Sequence, residues 1–120
     1  MLHTDSITKN TDFKRLYYRG RATSSPLVVL YHMQNRAIGE RNLLGITVSK
    51  KVGKAVVRNK VRRWIKEAYA SYEPKLKTGQ SIVILARQAV AVDGDYWKIH
   101  KQLGGIFKRA GLFAASESEE

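Results

Sequence analysis

The chain has 120 residues, with 22 Lys and Arg against 10 Asp and Glu, a formal net charge of +12, and no Cys. That length fits one domain, and 43% hydrophobic residues give it a core to bury, which excludes a disordered basic tail. No Cys means no disulfide scaffold, no thiolate-bound zinc and no thiol chemistry.

The N-terminal MLHTDSITKN lacks the apolar centre of a signal peptide. The longest apolar run, Leu27–Tyr31, falls far short of the roughly 20 residues of a membrane span. The expectation is a cytoplasmic protein with no membrane partner, whose charge calls for a polyanion, nucleic acid by default. It is read as one domain over 1–120, with an ordered core of about 8–113 and a flexible, solvating acidic tail at 114–120.

Asn10 is placed to cap a helix that runs to Arg19 and stops at Gly20; Phe13, Leu16 and Tyr17 share one of its faces. Tyr17 and Tyr18 differ in direction by about 100°, so one of them looks outward. Leu27–Met33, after Pro26, reads as a strand. Leu43–Ser49 alternates, with Leu44, Ile46 and Val48 on one face and Leu43, Gly45, Thr47 and Ser49 on the other, as in a half-buried strand. These two strands are expected to pair antiparallel.

A helix over 54–70 follows, its apolar stripe formed by Val57, Val61, Trp64, Ile65, Ala68 and Tyr72, with Pro74 ending it. Trp64 is read as core. Ser81–Arg87 is a third strand, apolar throughout Ile82–Ala86 and therefore central or covered on both faces. The last helix starts near Asp93 or Asp95, either of which would cap it, and stops at Gly111. Gly104-Gly105 weakens its interior by roughly 1 kcal/mol per residue relative to Ala; the sequence does not give the reason, of which close packing against another element is one. The order α-β-β-α-β-α makes an α+β sandwich.

The charge is concentrated. Arg41, Lys50, Lys51, Lys54, Arg58, Lys60, Arg62, Arg63 and Lys66 fall in one stretch with no acid among them. Solvated helix faces usually mix signs for i, i+4 pairing, so a single-sign face points to an anionic partner. Each phosphate it neutralises releases counterions and makes binding steeply salt-dependent; Arg adds bidentate contacts that Lys lacks. Backbone N–H groups near Gly53 and Lys54 would also face an anion.

Phe13, Tyr17 and Tyr31 have two readings. Helical spacing of Phe13 and Leu16 favours core packing; the alternative is a groove where single-stranded bases stack, at about 1–3 kcal/mol per base. His3, His32 and His100 are scattered, the acids show no catalytic pairing, and no metal, nucleophile or phosphate-loop motif occurs. Binding is therefore favoured over catalysis by this chain alone.

The run LGITVSKKVGKAVVRNKVRRWIKEAY, Leu44 to Tyr69, closely resembles the signature of the bacterial ribonuclease P protein family. Asp12-Phe13, the strand SIVILAR and the helix ending FKRAGL extend the resemblance over most of the chain. The resemblance implies a fold like the second domain of ribosomal protein S5, with a left-handed βαβ crossover around the motif helix, against the usual right-handed preference. It also implies an RNA-binding subunit, monomeric by itself, that assembles with a catalytic RNA and helps remove the 5′ leader of precursor tRNA. Mg²⁺ and the catalytic groups would belong to the RNA, so the chain is expected to hold no catalytic residue and no metal of its own.

By this resemblance the family's Arg-Asn-Arg motif falls on Arg58, Asn59 and Lys60, the third member being Lys here. With Lys50, Lys51, Lys54, Arg62, Arg63 and Lys66 it would face the catalytic RNA, while Phe13, Tyr17 and Tyr31 would take the unpaired leader. The rival readings are a structural RNA-binding protein, a DNA-binding regulator and a protein-only nuclease. A regulator would show a helix-turn-helix pair, whereas here the basic helix follows a strand.

Overall fold

A computed structural model describes residues 2–114. Its strands and α-helices are β1 (Thr4–Ser6), α1 (Asn10–Arg19), β2 (Arg21–Ser24), β3 (Val28–Gln34), β4 (Asn42–Thr47), α2 (Ala55–Tyr72), β5 (Gln80–Ala86), α3 (Val90–Asp93) and α4 (Tyr96–Ala110). The six strongly patterned segments all form in their expected order. The acidic residues Glu117, Glu119 and Glu120, and most of the tail expected to be flexible, lie outside the described residues.

The five strands make one sheet in the order β1-β4-β5-β3-β2. β5 is central, paired parallel to β4 and antiparallel to β3. The central place follows from its composition: Ile82, Val83 and Ile84 are buried although successive residues face opposite sides of the sheet. The expected antiparallel pairing of β3 with β4 does not form, because β5 lies between them. The loop joining β3 to β4 is held open by Gly79 at the start of β5. Asn35 N–H donates to Gly79 O at 2.7 Å, and Gly79 N–H donates to Arg41 O at 2.8 Å. A fully apolar strand gains more from burial on both faces than either half-polar neighbour would.

β1 and β2 are edge strands absent from the sequence reading. Their segments, TDS and RATS, carry no apolar alternation and are mostly exposed. Backbone pairing holds them: β1 runs parallel to β4, and β2 antiparallel to β3. The capping expectation at Asn10 also needs correction. Asn10 is the first helical residue, and Lys9 before it makes no side-chain cap. At α4 it is Asp95 that caps, accepting from Lys98 N–H at 2.8 Å, while Asp93 ends the short α3.

The two faces of the sheet are covered unequally. On one face α2 and α4 enclose the main core, including Leu44, Val61, Ile65, Tyr69, Leu103 and Phe107. Leu44 and Val48 lie in that core with Ile46 packed against it, as the alternation of this strand requires. Trp64 is only half-buried, with Lys60 Nζ 5.9 Å from its ring centroid. The Gly104 position explains part of the Gly-Gly pair: a Cβ there would collide with the Tyr72 hydroxyl of α2. A Cβ at Gly105 meets nothing within 4 Å.

On the other face α1 alone covers a small cluster, Ile7, Leu16 and Val83. One short helix cannot cover five strands, so Phe13, Tyr31, Met33 and Leu43 remain only partly buried around it. That incomplete cover is what opens a trough.

Candidate nucleic-acid interface

Lys50, Lys51, Lys54, Asn59, Lys60, Arg62, Arg63 and Lys66 are all exposed, and Arg58 is half-buried. Arg58 Nε donates to Gly53 O at 3.1 Å, so this side chain is folded back over the turn that starts α2. The cations from Lys50 to Lys66 have no carboxylate within ion-pair distance; the sole ion pair among the described residues is Arg41 with Asp5. There Arg41 Nε and Nη2 donate to the two Asp5 oxygens at 2.7 and 2.8 Å. The guanidinium lowers the Asp5 pKa through that bond, and Asp5 raises that of Arg41. Arg41 thus has an internal partner, and the basic surface proper begins at Lys50.

The cations of α2 do not all look the same way. At about 100° per residue, Arg62 and Lys66 lie on one flank beside the buried stripe. Arg63 points away from the stripe, and Lys60 lies on the opposite flank, beside Trp64.

The Arg62–Lys66 flank faces the far edge of the sheet. β1 stops at Ser6, opposite Leu44, while β4 continues to Thr47. Where β1 ends, a cleft of about 250 Å³ opens, lined by Ser6, Ile7, Phe13, Leu44, Gly45, Ile46, Arg62 and Lys66. A backbone edge, an aromatic ring and two cations therefore meet in one depression. Its β1 wall was not foreseen, since nothing in a three-residue polar strand marks it in the sequence.

Phe13 lies over Gly45, where a Cβ would come within 2.5 Å of the ring. Tyr17 and Tyr31 meet edge to face, with centroids 5.0 Å apart and planes at 85°. The Tyr17 and Thr47 hydroxyls share a hydrogen bond of 2.8 Å, which ties α1 to the end of β4. Tyr17 is 38% exposed, whereas Tyr18 at 88% is the one that looks outward. Leu16 is core, while Phe13, Tyr17 and Tyr31 gather at the open rim of the small cluster.

Among the described residues, no group of three or more His, Asp or Glu side chains is arranged to hold a metal ion. No helix among them is long and apolar enough to cross a membrane. What the surface offers is unpaired cations, π-faces and an open strand edge.

Comparison with known proteins agrees with this geometry. The Ribonuclease P family model matches residues 1–111. A ribonuclease P protein component from Clostridium botulinum (strain 657 / Type Ba4) is 44% identical over 110 residues, covering 91% of this chain and 96% of that one. Its counterpart from Clostridium acetobutylicum is 42% identical over 112 residues, covering 92% of both. Among solved structures, a Staphylococcus aureus RNase P protein mutant with defective mRNA degradation activity superposes with a TM-score of 0.82 at 35% identity, covering 90% of this chain and 89% of that one. The Thermotoga maritima RNase P protein gives 0.77 at 26% identity, covering 88% and 96%. A family match across nearly the whole chain, with the fold shared by solved members, shows that this chain belongs to the ribonuclease P protein family.

Proposed function

We propose that this chain is the protein subunit of ribonuclease P, an endoribonuclease complex, and assists removal of the 5′ leader from precursor tRNA. The observation that carries the reading is the pairing of two unlike surfaces in one small domain. The cations from Lys50 to Lys66 are uncompensated, and a partly covered aromatic trough adjoins them. The first suits the phosphates of a folded RNA; the second suits unpaired bases, which stack on aromatic faces.

In this reading Lys50, Lys51, Lys54, Arg58, Asn59, Lys60, Arg62, Arg63 and Lys66 contact the catalytic RNA. Phe13, Tyr17 and Tyr31 hold the leader. Arg62 and Lys66, on the cleft wall, stand between the two roles and neutralise phosphates where leader and catalytic RNA come together. The cleft is lined by the cations Arg62 and Lys66 rather than by an acid or a histidine. Hydrolysis is assigned to the RNA, with Mg²⁺ bound by RNA phosphates. Holding the leader in the trough fixes the substrate relative to that centre, which lowers the entropic part of the barrier. The free protein is a monomer and acts in the cytoplasm.

The test is cleavage of a precursor tRNA by the organism's ribonuclease P RNA at low Mg²⁺, with and without the protein. The protein is expected to raise cleavage well above that of RNA alone, and to cleave nothing by itself. No gain over RNA alone refutes the assignment; cleavage by the protein without RNA refutes placing the chemistry in the RNA.

A further inference from the structure

α4 repeats the charge pattern of α2. Between Tyr96 and Ala110 it carries Lys98, Lys101, Lys108 and Arg109 and no acid. The acids that precede it, Asp93 and Asp95, lie outside the helix, and Asp95 is engaged as its N-cap. Lys98 Nζ donates to Asp93 O and Arg109 Nη2 to Ser24 O, both at 3.0 Å. Lys101 and Lys108 are exposed and form no ion pair among the described residues.

At about 100° per residue, Trp97, Lys101 and Lys108 fall within about 40° of one another, opposite the buried Ile99, Leu103 and Ile106. At about 1.5 Å per residue they span about 16 Å along the helix. α4 packs on the sheet face opposite α1, so this stripe looks away from the aromatic trough. None of its residues lines the cleft beside Arg62 and Lys66.

Trp97 is 72% exposed yet held in place. Its ring meets Tyr96 edge to face at 4.9 Å and His100 at 5.9 Å. His100 in turn stacks on Tyr72 of α2 at 4.6 Å, and the Tyr72 hydroxyl donates to His100 O at 2.9 Å. The indole is therefore pre-organised, and a contact made on it loses little side-chain freedom. Gly105 lies beside the stripe, where a Cβ would meet nothing within 4 Å. No internal contact asks for glycine there; its bare backbone leaves room for a chain to come close between the two lysines.

We propose that the outer face of α4 is a second RNA-docking surface: a base of an unpaired RNA segment stacks on Trp97, and Lys101 and Lys108 neutralise its neighbouring phosphates. Charge complementarity selects this occupant. A helix face of one sign suits a polyanion, and an exposed, braced aromatic beside it suits a free base, whose π-face stacks whatever its identity. A second copy of this chain would set like charges against each other. One aromatic side chain is too small an apolar area to hold a membrane surface.

The experiment follows Trp97 emission in the free full-length chain carrying Trp64→Phe, which leaves Trp97 as its one tryptophan, while a short oligouridylate is added. Saturable quenching is expected. Inorganic polyphosphate, which brings charge without bases, is expected to leave the emission unchanged. Lys101→Ala and Lys108→Ala, both shown folded by circular dichroism, should each weaken the quenching titration about two- to fivefold. Each should also lower its salt slope by about 0.7, one single-strand phosphate. If Trp64→Phe does not fold, the Trp97 indole N–H resonance of the unsubstituted chain gives the same reading by NMR. No quenching by oligouridylate, equal quenching by polyphosphate, or titrations unchanged in both lysine variants overturns the proposal. So does quenching that follows protein concentration alone, the mark of a second copy on this face. Neither ribonuclease P RNA nor precursor tRNA is present, so the outcome stands apart from that of the cleavage test.

Discussion

The Phe13 ring occupies the space that a side chain at position 45 would need: a Cβ built on Gly45 falls 2.5 Å from Phe13 Cε1 and 2.6 Å from Cζ. Phe13 can therefore sink between α1 and β4 and keep a face toward the cleft it shares with Arg62 and Lys66.

Gly45→Ala must push that ring out. The stability cost is expected to be about 1–3 kcal/mol, the usual penalty for overpacking, read by urea denaturation. In the assembled enzyme, the same variant is expected to weaken precursor tRNA carrying a leader more than mature tRNA. Equal affinities for both substrates, unchanged from the wild type, would place Phe13 outside the leader path.

The two flanks of α2 predict a split. Arg62→Ala and Arg63→Ala should each reduce the slope of log affinity against log salt for the catalytic RNA by about one unit if each contacts one phosphate. Only Arg62→Ala, whose side chain lines the cleft with Phe13, should also lower affinity for the leader. Filter binding of catalytic RNA and of precursor tRNA across a salt series checks both.

Glu73 ties the N-terminal segment to the end of α2. Its carboxylate accepts from Leu2 and His3 N–H at 2.7 and 3.3 Å. Burial pushes its pKa up, but the bonds from Thr4, Leu2 and His3 outweigh that and hold it below the ordinary 4.5. A depressed carboxyl contributes stability above its unfolded pKa and loses it as pH falls through the folded value. Glu73→Gln is expected to cost about 1–3 kcal/mol at pH 7 and to flatten the loss of stability below about pH 4.5. Thermal unfolding from pH 3 to 7 measures both; an unchanged acid limb would contradict it.

The glycine pair in α4 should respond with opposite signs. Gly105→Ala, with open space around its Cβ, is expected to stabilise by roughly 0.5–1 kcal/mol. Gly104→Ala meets Tyr72, whose hydroxyl donates to His100 O at 2.9 Å and cannot yield freely. It is expected to destabilise by about 1–3 kcal/mol. The two midpoints in one denaturation series decide it.

What could be read in the sequence was whatever apolar periodicity writes there. α2, α4, β4 and β5 carry full stripes or alternations, so their existence, faces and buried residues followed. β1 and β2 carry none; they form because β4 and β3 leave edges to pair with, a tertiary cause invisible in TDS or RATS. The mistaken β3–β4 pairing has the same root, since chain proximity favours a hairpin and only the burial demand of β5 separates them.

In the site, the exposed cations of α2 were legible from their single sign. The ion pair that removes Arg41 from them was not, because Asp5 lies on the unread β1. The nearness of Phe13 to Arg62 was likewise hidden, for it depends on β1 ending at Ser6. Trp64 falls within its stripe by angle and yet is half-buried, because it stands at the stripe's margin beside Lys60.

The central claim is that one small domain grips unpaired leader at its aromatic trough and catalytic RNA at α2. The most direct measurement is the affinity of the assembled enzyme for precursor tRNA relative to mature tRNA, for wild type, Tyr31→Ala and Arg63→Ala, each shown to be folded. The account predicts that Tyr31→Ala shrinks the preference for precursor about five- to 150-fold, one stacked base. Arg63→Ala should weaken assembly with RNA and leave the preference unchanged. A preference untouched by Tyr31→Ala, or lost equally in both variants, would contradict it.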